Sequence, residues 1–167
     1  MQEMVVYGVS FDMVGKQPIV LLKTARENRF LPIWIGHPEA SAILARLQDE
    51  EAPRPMTHDL LASAVAELGG DVVRIAVVDM REGTFYARVL LERDGREIEL
   101  DARPSDAIAL ALRARAPIFA ADEVIAASAI RMEDDEALAE AAEPEQLVED
   151  FRRFLDDVRP EDFGADG

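Results

Sequence analysis

Along the first third of the chain, runs of β-branched and aromatic residues alternate with tight polar breaks. Residues 4–12 (Met-Val-Val-Tyr-Gly-Val-Ser-Phe-Asp) have strand composition, Val14-Gly15-Lys16 turns the chain, and residues 18–22 and 30–35 continue as two more strands. Pro32 has no N–H to give to a ladder, which predicts that the third strand is bulged or at an edge there. Short strands joined by tight turns predict an antiparallel meander. Beyond Gly36 the period changes. Ala40, Ile43, Leu44 and Leu47 recur at helical spacing behind Pro38 and Glu39, both favourable in a first helical turn. Charged residues and two prolines between 48 and 55 predict a loop. A second helix carries Leu60, Leu61, Ala64, Val65 and Leu68, with Thr57 as its expected N-cap and Gly69-Gly70 as its stop.

Three further strands are predicted over 72–80, 84–91 and 97–101, hinged at Arg81-Glu82-Gly83 and Arg93-Asp94-Gly95; Asp-Gly is a strong hairpin signal. Ser105 is the expected cap of a helix through 108–112 that ends near Ala116-Pro117. A short strand at 118–120 and a short helix over 122–129 complete the pattern. The fold class read from this order is α/β in the α+β sense: a mixed, largely antiparallel sheet flanked by helices, followed by an acidic C-terminal helix.

Charge divides the chain where the pattern does. Residues 1–131 hold 20 acidic and 15 basic side chains, net −5, whereas 132–167 hold 14 and 3, net −11, of a total of −16. The expected organisation is a domain over 1–131 and an acidic linker with an amphipathic helix over 132–167. In the latter Leu147, Val148, Phe151, Phe154, Leu155 and Val158 form an apolar stripe stopped by Pro160, which needs either its own domain or a partner to pack on. An acidic surface excludes nucleic-acid binding through a broad basic face, though not through a local groove. The chain has no cysteine, hence no disulfide framework or thiolate zinc site, and no apolar run long enough to span a bilayer. With no leader pattern at its start, it is expected to be cytoplasmic, with no membrane partner.

Two polar segments, Pro53-Arg54-Pro55-Met56-Thr57-His58-Asp59 and Asp101-Ala102-Arg103-Pro104-Ser105-Asp106, concentrate the candidate chemistry. A histidine can move protons near neutral pH, and carboxylates can hold an ion that activates water. His58 and Asp59 therefore stand as a candidate site, with Asp101 and Asp106 as carboxylates able to share Mg2+ or Mn2+. A bland reading competes at each place. Thr57 and Ser105 serve as caps, Asp59 and Asp106 favour the helix dipoles, and Arg103 bridges loops. His37 and Glu39 are a weaker third candidate, better explained as a helix start. Trp34 and Phe30 could stack on bases, yet aromatic residues in a strand usually belong to the core. Glycine-rich phosphate loops and a G-x-S-x-G elbow are absent.

The residues Leu31-Pro32-Ile33-Trp34-Ile35-Gly36 with Glu39-Ala40, then Pro53 to Leu60, then Asp101 to Ala111, then Pro117-Ile118-Phe119 with Glu123-Val124, resemble the bifunctional nuclease domain family. The likeness covers about residues 3–130. The ending Phe151-Arg152-Arg153-Phe154-Leu155-Asp156 with Pro160-Glu161-Asp162-Phe163 resembles actinobacterial-type members, and the extra helical repair-protein module of some relatives has no counterpart here. The resemblance implies an α/β fold, self-association with a dimer favoured, and metal-assisted hydrolysis of DNA and RNA phosphodiesters. In that scheme Asp59, Asp101 and Asp106 hold the metal, His58 transfers protons, and Arg54 or Arg103 meets the phosphate. No organic cofactor is expected. The alternative from a different class is a non-catalytic binding or regulatory module acting through protein–protein contacts.

Overall fold

Strands β1 (Gln2–Asp12), β2 (Gln17–Thr24) and β3 (Arg29–Trp34) pair antiparallel in sequence order, so the expected meander is present. The computed structural model describes residues 1–12, 15–50 and 52–131; the acidic segment and its phenylalanine stripe lie outside the described residues. Pairing on the far side of β3 comes from β8 (Ile130–Arg131), which the sequence pattern does not reveal. It reaches only Arg29 and Phe30, so Pro32 sits past its end, where a missing N–H costs no ladder bond.

The second half of the sheet is β4 (Asp71–Arg81), β5 (Thr84–Arg93) and β6 (Arg96–Ala102), again antiparallel. Both of its hairpins turn on two residues with positive φ, Glu82 (49°) with Gly83 (78°) and Asp94 (52°) with Gly95 (72°). That is the turn whose twist matches the strands, and glycine takes the second position without steric cost. One three-residue strand joins the halves. β7 (Ile118–Ala120) runs parallel to β4 and antiparallel to β1, giving an eight-stranded sheet in the order β6-β5-β4-β7-β1-β2-β3-β8. Register slips at Val6/Gly8, Val72/Arg74 and Val77/Asp79 are bulges of the kind that add twist and bend to a strand.

Helices α1 (His37–Leu47), α2 (Thr57–Glu67), α3 (Pro104–Ala114) and α4 (Asp122–Ser128) complete the described part. Alternate strand residues such as Val20, Leu22, Ile33, Ile75 and Val89 join Ile43, Ile108 and Ile125 in one apolar core. α3 is buried along nearly its whole first two turns and touches α1, α2, β4 and β5, which makes it the central helix. Helix starts differ from expectation by a residue or two. Thr57 is the first residue of α2 rather than its cap, because the Asp59 carboxylate accepts the Met56 N–H at 2.8 Å. Ser105 is the second residue of α3. Pro104 occupies the first position, where its missing N–H is no loss and its fixed φ suits the helix. No described helix is long and apolar enough to cross a membrane.

Candidate functional site

The first turns of α1, α2 and α3 meet through four side chains. His58 Nε2 lies 3.1 Å from Asp106 Oδ1, so the two polar segments singled out in the sequence do converge. Arg103, in the N-cap position of α3, donates from Nε to Asp106 Oδ2 at 2.7 Å and from Nη2 to Asp106 Oδ1 at 3.1 Å. The same Nη2 donates to Glu39 Oε1 at 2.7 Å, which ties α1 into the cluster. Gly36 makes room for this: a Cβ there would fall 2.2 Å from Glu39 Oε2. Acidic groups in three first turns also sit where the helix dipoles favour negative charge.

The electrostatics fix one proton. Burial pushes the Asp106 carboxyl up, but the Arg103 hydrogen bonds and then His58 outweigh it and hold the group below the usual carboxylate range. An ionised carboxylate only accepts, so His58 Nε2 carries a hydrogen and donates it, and the contact turns Nδ1 away from Asp106. On Arg103, Nε and both hydrogens of Nη2 are spent on carboxylates. Among the described residues Nη1 has no partner, and the side chain is 66 % exposed. The cluster thus presents an oriented imidazole and an unused guanidinium edge.

Asp59, next to His58, faces a different cation. Arg113 Nε donates to Asp59 Oδ1, while its Nη1 donates to the carbonyls of Ala42 and Ala109 at 3.1 and 2.9 Å. Burial raises the Asp59 pKa; the Met56 N–H and Arg113 outweigh it, and the net shift is downward. Arg54 lines a hollow of about 300 Å3 on this side, with Arg46, Asp59 and Arg113. It makes no hydrogen bond to the His58 cluster among the described residues.

Asp101 is further removed. It pairs across the ladder with Arg88, 2.9 Å from its Nη1, and alternates with Leu100 and Ala102, whose partners Val89 and Ala87 are buried in the core. Its carboxylate is therefore on the opposite sheet face from α3. The three acids nominated for one metal are consequently dispersed, each beside its own arginine. Among the described residues no group of three or more His, Cys, Asp or Glu side chains could hold an ion. The donor set does not fit a shared Mg2+ or Mn2+.

Two residues that sequence reasoning ranked low or passed over belong here. Glu39 read as a helix-start acid, and only the contact with Arg103 raises it. Arg113 carried a usable signal: it lies two turns after Asp106 on the same stripe of an otherwise apolar helix, a costly place for a charge without a partner.

An open cleft of about 360 Å3 adjoins Arg103, bounded by Trp34 and Ile35 at the end of β3, Gly83 and Phe85 at the β4–β5 turn, and Pro104 and Ser105 of α3. Trp34 is 53 % exposed, whereas Phe30 on the same strand is buried. The expectation that both aromatics are core therefore holds only for Phe30.

Comparison with known proteins identifies the family. The model of the bifunctional nuclease domain matches residues 20–133, a span that contains every residue of the cluster. An uncharacterized protein of Mycobacterium tuberculosis is 42 % identical over 166 residues, covering 99 % of both chains. Bifunctional nuclease 1 of Oryza sativa subsp. japonica is 30 % identical over 110 residues, 64 % of this chain and 33 % of the rice protein. Bifunctional nuclease 1 of Arabidopsis thaliana is 27 % identical over a similar stretch, 34 % of its length. With the family model matching well over half its length, the chain belongs to the bifunctional nuclease domain family.

Proposed function

We propose that this chain hydrolyses phosphodiester bonds in DNA and RNA at the cluster of His58, Asp106, Arg103 and Glu39. The observation that carries the reading is His58 held by an ionised Asp106 at 3.1 Å beside the unused Nη1 edge of Arg103. The names of the plant relatives supply the substrate class. Asp106 orients the imidazole, and His58 Nδ1 takes a proton from water as the water oxygen bonds to phosphorus. The ester P–O bond to the departing sugar oxygen breaks, and that oxygen is protonated from solvent. Arg103 Nη1 donates to the phosphoryl oxygens, where charge grows in the transition state. Because the attacking group is water, neither step needs a 2′-hydroxyl.

A second reading has its own support. His58 is only 10 % exposed, and most donors in the cluster are spent within it. Four mutually satisfied groups serve equally well as a tie between three helices in a non-catalytic module acting through protein–protein contacts. Single- and double-stranded DNA and RNA, incubated with protein free of host nucleases in Mg2+, Mn2+ or EDTA, separate the two. Hydrolysis predicts a fall of roughly 10²- to 10⁴-fold in His58→Gln, with the unfolding midpoint little changed. Arg103→Lys, which keeps the charge and loses the fork, loses rate as well. Cleavage indifferent to both substitutions overturns the assignment. Wild-type protein that cleaves nothing, while His58→Gln melts lower, identifies the tie.

A further inference from the structure

We infer that the outer edge of β6 pairs antiparallel with β6 of a second copy, about a two-fold axis at Glu99, so that one sheet runs through the dimer. β6 heads the strand order, and among the described residues nothing pairs with its outer edge. Six of its seven residues are exposed. At the other end of the sheet β8 covers the start of β3, and Pro32 interrupts the remainder. β6 has neither protection. Its register with β5 is continuous from Arg96 to Ala102, and it contains no proline, glycine or bulge. A long edge left in that state is a template for another strand.

The hairpin fixes which backbone groups face outward. Arg93 and Arg96 close a two-residue turn in which Asp94 and Gly95 both have positive φ, so this closing pair exchanges both of its ladder bonds. Alternation then commits Ile98, Leu100 and Ala102 to β5, and turns the N–H and C=O groups of Glu97, Glu99 and Asp101 outward. Pairing about Glu99 aligns Glu97 with Asp101 of the partner subunit, and Glu99 with its own counterpart. All three outward residues then find a partner. An axis through Ile98 or Leu100 would leave one of them unpaired.

The same register sets Ile98 opposite Leu100 of the partner subunit, in the closely spaced positions between the hydrogen-bonded pairs. These two side chains point to the helix face, because their β5 neighbours Leu91 and Val89 belong to the core. In the single chain they are 42 % and 43 % exposed. On the other face Arg88 lies 3.6 Å from Glu99 and 2.9 Å from Asp101, so the acidic row brings its own counter-charge. The facing Glu99 carboxylates still repel each other, and salt relieves that. The segment complements itself in backbone and in apolar side chains, which is why the occupant is a second copy and not a foreign strand.

The chain has no cysteine, so a single introduced one reports contact between copies. Across a hydrogen-bonded pair the Cα atoms lie about 5.5 Å apart, which a disulfide spans. Position 97 stands four residues from its own counterpart, about 13 Å along the strand, which a disulfide does not span. In the full chain under mild oxidation, Glu99→Cys should therefore form covalent dimer at least about 10-fold faster than Glu97→Cys. Glu99→Pro removes an outward N–H and leaves the donors to β5 in place. It should scatter light as a single 18.5 kDa chain, whereas wild-type protein dimerises more tightly as salt is added. Equal cross-linking at 97 and 99 overturns the interface, and so does a Glu99→Pro protein that remains dimeric. If Glu99→Pro fails to fold, the cross-linking comparison decides alone. Neither measurement involves nucleic acid, so both outcomes leave the hydrolytic reading untouched.

Discussion

A Cβ on residue 36 and the Glu39 carboxylate would compete for the same space, at 2.2 Å, and the carboxylate is the part able to move. Gly36→Ala should therefore turn Glu39 away from Arg103 and change stability by less than about 1 kcal/mol, since only an exposed fork loses one of its bonds. The check is a double-mutant cycle with Glu39→Ala: once the carboxylate is gone, the alanine at 36 should cost nothing further in rate or unfolding midpoint. In the sequence, Gly36-His37-Pro38-Glu39 reads correctly as a strand end and a helix start. What it does not disclose is that the acid of that start is shared with α3, because the contact joins residues 39 and 103 through a fold that local spacing does not encode. Trp34 illustrates the converse. Its strand was legible and its period was right, but burial depends on what covers each sheet face, and at the end of β3 the face opposite the buried Ile33 leaves Trp34 more than half exposed.

Between α2 and α3 the charges interlock: His58 with Asp106 in one place, Asp59 with Arg113 in the other. Asp106 and Arg113 stand two turns apart, about 10 Å along the axis, while His58 and Asp59 are adjacent. Side chains lean toward the helix N-terminus, and Arg113 reaches back to the Ala109 carbonyl, which shortens the gap. Arg113 is 7 % exposed, and its loss would strand the Asp59 carboxylate and the Ala42 carbonyl. Arg113→Ala should cost about 3 kcal/mol, measured by urea unfolding, and Asp59→Ala added on top should cost about 1 kcal/mol more, for the lost bond to the Met56 N–H. Both helices were legible from apolar spacing. The two polar segments were legible as special, yet their division into a His58 cluster and an Arg113 cluster was not. Adjacent residues on a helix point about 100° apart, so His58 and Asp59, read as one candidate, serve different neighbours.

At the scale of the molecule, the described sheet holds together through β7, whose three residues connect β1 to β4. Each half was readable as a meander, but the joining strand comes from Ile118–Ala120, far from either partner in sequence. Outside the core, α2 leaves Leu60 and Leu61 exposed, as is Leu68 just past its end. Self-association as a dimer, which the family resemblance implies, predicts that light scattering returns twice the 18.5 kDa chain mass. The charge of the molecule bears most directly on how it meets nucleic acid. A binder that works through a basic face releases many counterions and loses about 10³- to 10⁵-fold in affinity between about 50 and about 200 mM salt. In the proposed site a single guanidinium would meet one phosphate, which predicts a slope near about −0.7 and a fall of roughly threefold over the same range. The net −16 repels a polyanion at low salt, and screening relieves that repulsion as salt rises, which flattens the dependence further. Anisotropy titrations of a labelled single strand at four salt concentrations measure the slope. A value steeper than about −2 would mean that several cations share the phosphates, and that Arg103 is not the principal contact.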